Sequence, residues 1–381
     1  MDLRRFNDYF LHRVLMIVLS SLLIFGALPS YAAEESDSVV SIISDSGTEI
    51  YYSDFVSAVE SLDNTEKSEK RTIKLLKDIT LTEALTITSE EDVELNFNNF
   101  RITIPQLKFQ VKGIVTIKAD SSDRGGIDFT GSSNNTWCAQ KIVVQGGCYT
   151  ENGTNNYIFF KSSNDYNSAS EPYDVSINNA KFIANSTKTN SRGVLYFEGN
   201  STAPVNAIFA DTEVTSKGDA NRPAITAGAF SNLIINSGNY EGSGKPNAVL
   251  LNNAGSMDPS SITINGGTFK ASEGGTVIAM NDDGYNGEVH VNDGFFYGSV
   301  TAPSSLPMYK QMMAAYGITI TGGIYIRGGY VLGTVSNADT EGMSAYVVED
   351  TNDDYYGFTH YISSDSIITA TASLQIGRAS C

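Results

Sequence analysis

Two short phrases of this sequence carry the side chains most suited to chemistry, because each sets a pair of carboxylates beside a tyrosine. These side chains are Asp282, Asp283 and Tyr285 in AMNDDGYNG, and Asp353, Asp354 and Tyr355 in DTNDDYYGFTHY. Two carboxyl groups about 5–10 Å apart across a sugar can hydrolyse a glycosidic bond, and carboxylates also bind Ca²⁺. Adjacent side chains of a strand diverge, however, and Asn-Asp-Asp-Gly is common in turns. We therefore predict that both phrases form turns and that these carboxylate pairs are not catalytic. They remain candidate contacts for a glycan or for Ca²⁺, which is the one cofactor considered.

Aromatic residues in loop-like or outward contexts indicate a second kind of chemistry, the stacking of aromatic faces on sugar rings. They are Trp137, Tyr166, Tyr285, Tyr309, Tyr330, Tyr355 and Tyr356. Several stand beside Asn or Asp, whose side chains can hydrogen-bond sugar hydroxyls. This pattern is consistent with a shallow glycan-binding surface. The alternative is that these rings cap loops against the core.

Other residues that could do chemistry have simpler explanations. His290 lies between Val289 and Val291, so it should face outward on a strand whose valines face inward. No Gly-x-Ser-x-Gly elbow and no Gly-rich loop leading to a phosphate-binding lysine occurs in the sequence. The spacing of the three cysteines does not fit a zinc site. Cys138 and Cys148 could form one local disulfide in an exported protein, or they could remain two thiols.

The N-terminus and the charge balance predict the compartment. Residues 1–32 have the form of a signal peptide, with Arg4 and Arg5 before an apolar run over 14–28 and small residues at Ser30 and Ala32. Cleavage after Ala32 would give a secreted or cell-surface protein without a membrane span, because the apolar run is short for one. The alternative is that the segment remains as an uncleaved anchor. The formal net charge of −18 disfavours nucleic acid as a partner.

Seven similar phrases recur along the chain and carry no evident chemistry. They are IVVQGGCY (142–149), VSINNAKF (175–182), AIFADTEV (207–214), LIINSGNY (233–240), ITINGGTF (262–269), VHVNDGFF (289–296) and ITITGGIY (318–325). Positions one and three are mostly apolar, positions five and six are mostly Gly, Asn or other small residues, and position eight is aromatic in all but the third copy. Alternation predicts a strand, and the Asn-Gly-Gly element supplies the positive φ that a sharp corner needs.

The repeat length indicates how these phrases assemble. Copies follow one another at intervals of 26 to 33 residues, and a second apolar run, such as NYIFF or NAVLL, falls between some of them. Such a unit makes two or three short strands and cannot bury its apolar side alone, so copies should stack. No helical stripe recurs, and the leucine and asparagine spacing of leucine-rich repeats is absent. A β-sandwich remains the structural alternative.

In these repeats the chain resembles the right-handed parallel β-helix proteins of the pectate-lyase-like superfamily. The corner asparagines carry the resemblance, since they are similar to the stacked asparagine ladder of that fold: Asn178, Asn236, Asn265 and Asn292. The phrase IYYSDFVSAVES also resembles the start of exported bacterial surface proteins, in which a short helix after Ser53 and the first strands cap the open end. The lyases of this superfamily use Ca²⁺ and a basic residue; Arg327 is the candidate, but no carboxylate cluster is spaced to serve it.

These observations predict an all-β fold, a right-handed parallel β-helix (solenoid) with a small α/β N-terminal cap. Its expected organisation is a signal peptide (1–32), a linker (33–46), the cap and first turns (47–118), the repeats (119–345) and a C-terminal segment (346–381) of a chain that looks cut short at Cys381. We expect a secreted or cell-surface protein that is not an enzyme and that serves in adhesion, in binding of a polysaccharide or host-surface glycan, or as a scaffold. The alternative is a lyase or glycoside hydrolase of the same superfamily.

Overall fold

The computed structural model describes most of the chain between residues 36 and 347. The described residues are 36–64, 70–153, 156–185, 192–217, 222–245, 248–253, 258–272, 275–280, 287–301, 323–326, 330–332, 335–336 and 344–347. They contain one α-helix, α1 (Phe55–Glu60), followed by a 3-10 helix (Ser61–Asn64), and 31 strands. Among these residues no helix is both long and apolar enough to cross a bilayer.

The first twelve strands run from Val40 to Lys161. They are β1 (Val40–Ser44), β2 (Glu49–Tyr52), β3 (Arg71–Leu75), β4 (Ile79–Thr80), β5 (Leu85–Ser89), β6 (Val93–Asn96), β7 (Arg101–Ile104), β8 (Leu107–Lys118), β9 (Gly126–Phe129), β10 (Asn135–Gln145), β11 (Cys148–Glu151) and β12 (Ile158–Lys161).

The remaining strands are short and regularly spaced. They are β13 (Tyr173–Asn178), β14 (Lys181–Ala184), β15 (Leu195–Glu198), β16 (Val205–Ala210), β17 (Thr212–Ser216), β18 (Ile225–Ala227), β19 (Ser231–Ile235), β20 (Gly238–Gly242), β21 (Leu250–Asn252), β22 (Ser260–Ile264), β23 (Thr268–Ala271), β24 (Thr276–Met280), β25 (Gly287–Val291), β26 (Phe295–Tyr297), β27 (Ser299–Thr301), β28 (Gly323–Ile326), β29 (Tyr330–Leu332), β30 (Val335–Ser336) and β31 (Ser344–Val347).

From β10 onward each strand pairs in parallel with the strand three places later, which produces three rows. The first row is β13, β16, β19, β22, β25, β28 and β31; the second is the ten-stranded sheet from β4 to β29; the third is β12, β15, β18, β21, β24, β27 and β30. The first and third rows belong to one sheet because β10 pairs with both β12 and β13. The chain is therefore all-β with long stacks of parallel strands, and this pairing is not that of an antiparallel β-sandwich.

The predicted apolar positions of the repeats lie in the interior. Positions one and three of the first six copies are buried, and the side chains of all three rows meet in one hydrophobic core. Position eight forms a column along the second row, in the order Tyr149, Phe182, Val214, Tyr240, Phe269 and Phe296. Rings stack within it at centroid distances of 4.8 Å for Tyr240 and Phe269 and 4.9 Å for Phe269 and Phe296. The third copy keeps its place in the column because Val214 is also buried.

The corners between the first and second rows have the predicted backbone. Gly267 and Gly294 have φ values of +110° and +133°, a region that favours glycine. The expected asparagine ladder is present on the outer side, where the Nδ2 of Asn292 donates to Asn265 and the Nδ2 of Asn265 donates to Asn236, both at 2.9 Å. The ladder does not continue without a break to Asn178, because Ala210 occupies the position paired with it.

The N-terminal region differs from its prediction in two respects. Val40–Ser44, placed in the linker by the sequence analysis, forms β1, which pairs antiparallel with both β2 and β3. Val40 and Ile42 are buried in the main core, whereas Ile43 is partly exposed. The helix N-cap is Asp54 rather than Ser53, since the Asp54 carboxylate accepts a hydrogen bond from the Ser57 N–H at 2.8 Å.

The seventh repeat is displaced from its predicted position. Strand pairing places Ile324 opposite Val289 and Val331 opposite Phe296, so the copy that continues the rows is IYIRGGYV (324–331) rather than ITITGGIY (318–325). Both phrases have apolar residues at positions one and three and Gly-Gly at positions five and six. The pattern alone therefore fits either frame, and only the pairing between strands decides between them.

One ion pair lies inside the apolar core. Arg222 enters from the connection between β17 and β18, and its guanidinium donates to the Glu151 carboxylate and to the Asn156 carbonyl, while its Nε donates to the Gly193 carbonyl at 3.1 Å. Both side chains are fully buried. Glu151 Oε1 and Arg222 Nη1 have no hydrogen-bond partner among the described residues. This pair therefore ties three successive strand connections together at the cost of burying two charges.

Burial raises the pKa of Glu151 to about 8, although the Arg222 charge opposes the shift. In the unfolded chain the carboxyl group has its ordinary pKa of 4.5. Between these pH values the folded protein keeps a proton that the unfolded chain has released. Because the folded-state pKa is the raised one, the stabilising contribution is complete below about pH 4.5 and is lost as the pH rises through about 8.

We therefore expect the free energy of unfolding to fall between about pH 5 and pH 8, and Glu151→Gln to remove this part of the pH dependence. Urea denaturation at intervals across this range measures it. Glu241→Gln is the matched control, because that carboxylate is exposed and should leave the slope unchanged. An unchanged slope in Glu151→Gln would show that the carboxyl group keeps one charge state throughout.

Candidate functional site

The outer face of the second row carries two adjacent exposed rings at its C-terminal end. Phe295 and Tyr297 alternate with buried Phe296 on β26, and they are 49% and 42% exposed. Residues two apart on a strand project from the same face with about 6.6 Å between them. Two large apolar rings on one solvent-facing surface are therefore available to a ligand.

Polar side chains on the neighbouring strands frame these rings. Thr268 precedes Phe295 in register and Lys270 precedes Tyr297. Lys270 Nζ lies 3.5 Å from Glu241 Oε1, and both side chains are exposed. Asn239 is paired with Thr268 on the next strand inward along the row. The face thus combines ring surfaces with amide, hydroxyl, ammonium and carboxylate groups, which suits recognition of a molecule with apolar faces and hydroxyl groups.

In backbone register, β29 follows β26 in this row. Tyr330 is paired with Phe295, and Leu332 is paired with Tyr297. Between β14 and β23 the row has no aromatic residue at these register positions; Lys181 and Glu213, for example, pair at 3.0 Å. Among the side chains that the structure describes, the exposed aromatic residues of the second row are Phe295 and Tyr297 on β26.

A second aromatic cluster lies outside the main core, on the third row. Tyr157, Phe159 and Tyr196 form a separate buried group, with ring centroids 5.0 Å apart for Phe159 and Tyr196. Strand pairing sets Phe159 opposite Tyr196, while their neighbours Phe160 and Phe197 face the main core. The third row thus has apolar side chains on both of its faces at this level.

Charged groups surround this cluster. The Arg192 guanidinium lies 5.8 Å from the Tyr157 ring and 5.7 Å from the Tyr196 ring, and its Nη1 donates to Tyr157 Oη at 2.8 Å. Lys161 Nζ lies 5.7 Å from the Phe159 ring. The Tyr196 hydroxyl donates to Glu198 Oε2 at 2.5 Å, and burial followed by this carboxylate raises the pKa of Tyr196. These contacts stabilise the rings through cation–π attraction and hydrogen bonds.

The residues proposed from sequence divide into three groups. The residues of the two carboxylate phrases lie outside the described residues; they are Asp282, Asp283, Tyr285, Asp353, Asp354 and Tyr355. Arg327, Tyr309 and Tyr356 also lie outside the described residues. His290 faces outward as predicted, between buried Val289 and Val291, with its Nε2 3.0 Å from Glu288 Oε2. Trp137 contradicts its prediction, because it is fully buried in β10 between Phe109 and Phe160.

The two cysteines are free thiols, so the disulfide considered from the sequence is not formed. Cys138 lies on β10 and Cys148 on β11, strands that belong to different sheets. Burial raises the pKa of Cys138 to about 12. Cys148 Sγ lies 3.8 Å from Thr150 Oγ1 on the outer face of the second row. Their separate surroundings explain why ten residues of sequence separation do not bring the sulfurs together.

Sequence reasoning missed Phe295, Tyr297 and the cluster on the third row, although each left a signal. In FFYG and YIFF the aromatic residues do not alternate with polar ones. A strand with one solvated face alternates strictly, so consecutive aromatic residues indicate that the outer face is also apolar.

Within the part of the chain that the structure describes, no three His, Cys, Asp or Glu side chains are placed to hold a metal ion. No family model, no curated protein and no solved structure matches the chain. The class defined by these findings is an all-β protein of stacked parallel strands with aromatic groups on its outer faces.

Proposed function

We propose that this chain is a secreted or cell-surface right-handed parallel β-helix that binds glycans through its outer faces. The observation that carries the proposal is the exposed ring pair, Phe295 and Tyr297, beside the Lys270–Glu241 ion pair. Aromatic faces provide apolar area at a small cost in conformational entropy, while ammonium, carboxylate and amide groups can bond to sugar hydroxyls. Pairing of each strand with the strand three places later supports the β-helix, and the signal-like N-terminus supports export.

We propose binding without catalysis, in adhesion or as a surface scaffold. The described outer faces carry ion pairs such as Lys270–Glu241. The Lys181 ammonium lies between two carboxylates, 3.0 Å from Glu213 and 3.9 Å from Asp123. A glycoside hydrolase needs two carboxyl groups across a substrate, and the charged groups beside Phe295 and Tyr297 pair one carboxylate with one ammonium. The natural partner class is a polysaccharide or a cell-surface glycan.

The test is a glycan array probed with the exported chain, followed by titration of the best ligand. We expect Phe295→Ala and Tyr297→Ala each to weaken binding by about tenfold, because each removes one stacking face. Ile208→Ala is the matched control, since it removes an exposed apolar side chain from the first row. Its affinity should equal that of the wild type.

Three outcomes would contradict parts of this proposal. Absence of binding across the array would reject glycan recognition. Equal loss in Ile208→Ala would reject the location. Release of unsaturated or reducing sugars from a panel of polysaccharides would reject the non-catalytic role and favour a lyase or hydrolase.

A further inference from the structure

The outer face of the second row is open to solvent on three adjacent strands, β20, β23 and β26. Five of the six side chains that point outward from these strands are exposed, and the sixth, that of Thr268, is partly buried. The five are those of Asn239, Glu241, Lys270, Phe295 and Tyr297. On the five strands before them, from β7 to β17, no outward residue is exposed. The open face around the two rings therefore continues over β23 and ends at β20.

Strand register arranges the six outward side chains of this face in two lines that cross the strands. The lines are Asn239–Thr268–Phe295 and Glu241–Lys270–Tyr297. Neighbouring strands are about 4.8 Å apart, so each line covers about 10 Å from β20 to β26. Each line thus begins at an aromatic ring on β26 and continues over polar groups on β23 and β20.

The first line contains hydrogen-bonding groups that no neighbouring side chain uses. The Asn239 amide and the Thr268 hydroxyl make no side-chain hydrogen bond to another described residue. Outward amides on the first row, in contrast, bond to one another, as the Nδ2 of Asn265 does to Asn236 at 2.9 Å. Because the amide and the hydroxyl of the first line lie side by side in register, a molecule rich in hydroxyl groups can bond to both.

The second line carries no net charge. Lys270 Nζ lies 3.5 Å from Glu241 Oε1, so the ammonium and the carboxylate compensate each other. The whole chain has a formal net charge of −18, and a field of this sign repels an acidic polymer. An uncharged ligand is not repelled and does not have to break the ion pair. The charges of this face therefore favour a neutral ligand over an acidic one.

Glycines limit the face in the direction of the strand. Gly294 and Gly298 flank the three residues of β26, with φ values of +133° and +143°, and the chain turns at both. A ligand that followed β26 would pass over two rings and then meet no further side chain of that strand. A ligand that crosses the strands meets Thr268 and Asn239 after Phe295. The available contacts therefore favour a ligand that runs along the row.

We propose that the glycan bound here is a linear, uncharged chain that crosses β26, β23 and β20, with one sugar unit on the rings and the next units bonded to Thr268 and Asn239. This inference rests on the proposed glycan binding and adds the class, the direction and the length of the ligand. One unit of an extended sugar chain advances by about one strand spacing, so the face accommodates about three units. The partner is thus an internal segment of a neutral polysaccharide rather than a single terminal sugar.

Calorimetric titration of the exported chain with cello-, xylo- and manno-oligosaccharides of increasing length tests this inference. For the series that binds best, we expect the affinity to rise by about fivefold between two and three units, because the third unit reaches Asn239. Beyond about four units the affinity should level off, since the face ends at β20. Oligogalacturonates of the same lengths are the acidic comparison, and they should bind about tenfold more weakly at low salt.

Asn239→Ala separates the far end of the face from the rings. It should remove the fivefold gain of the third unit and leave the affinity for two-unit chains unchanged, whereas Tyr297→Ala should weaken binding at every length. Asn232→Ala is the matched control, because Asn232 is an exposed outward asparagine on the first row. Its affinities should equal those of the wild type at every length.

The outcomes separate this inference from the proposed function. An affinity that does not depend on chain length, or a wild-type gain of the third unit in Asn239→Ala, overturns the inference and leaves glycan binding at the two rings intact. Array binding that is confined to branched or acidic glycans also overturns it while supporting the proposed function. Absence of any binding on the array overturns the two together.

Discussion

At about pH 9, above the Glu151 pKa of about 8, replacing Glu151 by Leu is expected to lower the free energy of unfolding by about 3–5 kcal/mol, because it removes the ionised carboxylate that is the counter-charge of the buried Arg222 guanidinium. Arginine cannot release its proton inside a protein. Both side chains of this pair are fully buried, so water cannot replace the lost carboxylate. The variant must therefore either bury a bare cation or open the connection between β17 and β18 that holds it.

The reverse replacement should cost less. In Arg222→Met the remaining Glu151 can take up a proton, as the rise of its pKa to about 8 indicates, so the loss should be about 1–3 kcal/mol. The double variant Glu151→Leu/Arg222→Met should recover to within about 1 kcal/mol of the wild type, because apolar groups of similar volume replace the pair. Urea denaturation of the four proteins at about pH 9, where Glu151 of the folded wild type is ionised, measures these differences.

The decisive result of this experiment is the order of the free energies of unfolding of the three variants. If Arg222→Met lowers the free energy of unfolding by as much as Glu151→Leu or more, the buried carboxylate, rather than the buried guanidinium, is the group that is more costly to leave without its partner. If the double variant is as unstable as Glu151→Leu, the pair stabilises the fold through the packing of its side chains and not through the compensation of one charge by the other.

Trp137→Ala is expected to destabilise the protein by about 3–5 kcal/mol, because it removes the largest fully buried side chain of the core. The indole packs edge-on at 5.4 Å against both Phe109 and Phe160. Its Nε1 also donates to the Leu107 carbonyl at 3.3 Å, and this acceptor would lose its partner. Trp137→Phe keeps most of the ring volume and should cost about half as much.

The same residue provides a direct check without mutation, since Trp137 is the single tryptophan of the chain. Its fluorescence should be blue-shifted in the native protein and should shift to the red as the chain unfolds in urea. Native emission at the wavelength of free tryptophan, or efficient quenching by acrylamide, would place the indole in solvent, as the sequence analysis expected.

Local patterns predicted the repeated strands well, because each strand encodes its own inward positions. Alternation placed Ile262 and Ile264 in the core, and the Asn-Gly-Gly corner predicted the positive φ of Gly267. The repeat pattern does not require an aromatic residue at position eight, since Val214 occupies that position in the buried column of the second row. The asparagine ladder from Asn236 to Asn292 was implied by the resemblance to parallel β-helix proteins, and its hydrogen bonds are present.

Sequence patterns did not predict the structure correctly where two arrangements fit the same local sequence. The seventh repeat fits two frames six residues apart, and the pairing of Val289 with Ile324 selects one. Trp137 follows Asn135 and Thr136 in a polar context, yet it lies on a strand whose N-terminal part pairs with Phe109 on one side and Phe160 on the other. The candidate surface around Phe295 was missed for a related reason, because consecutive aromatic residues obscure which ones face outward.

The sequence by itself determined that this chain forms short strands with sharp asparagine and glycine corners, because those properties depend on residues within one repeat. Tertiary structure alone decided which repeats lie side by side, and hence which outer residues share a surface. It also joined Glu151 to Arg222 across 71 residues of sequence. These features depend on lateral pairing between strands roughly thirty residues apart, and no local pattern records that pairing.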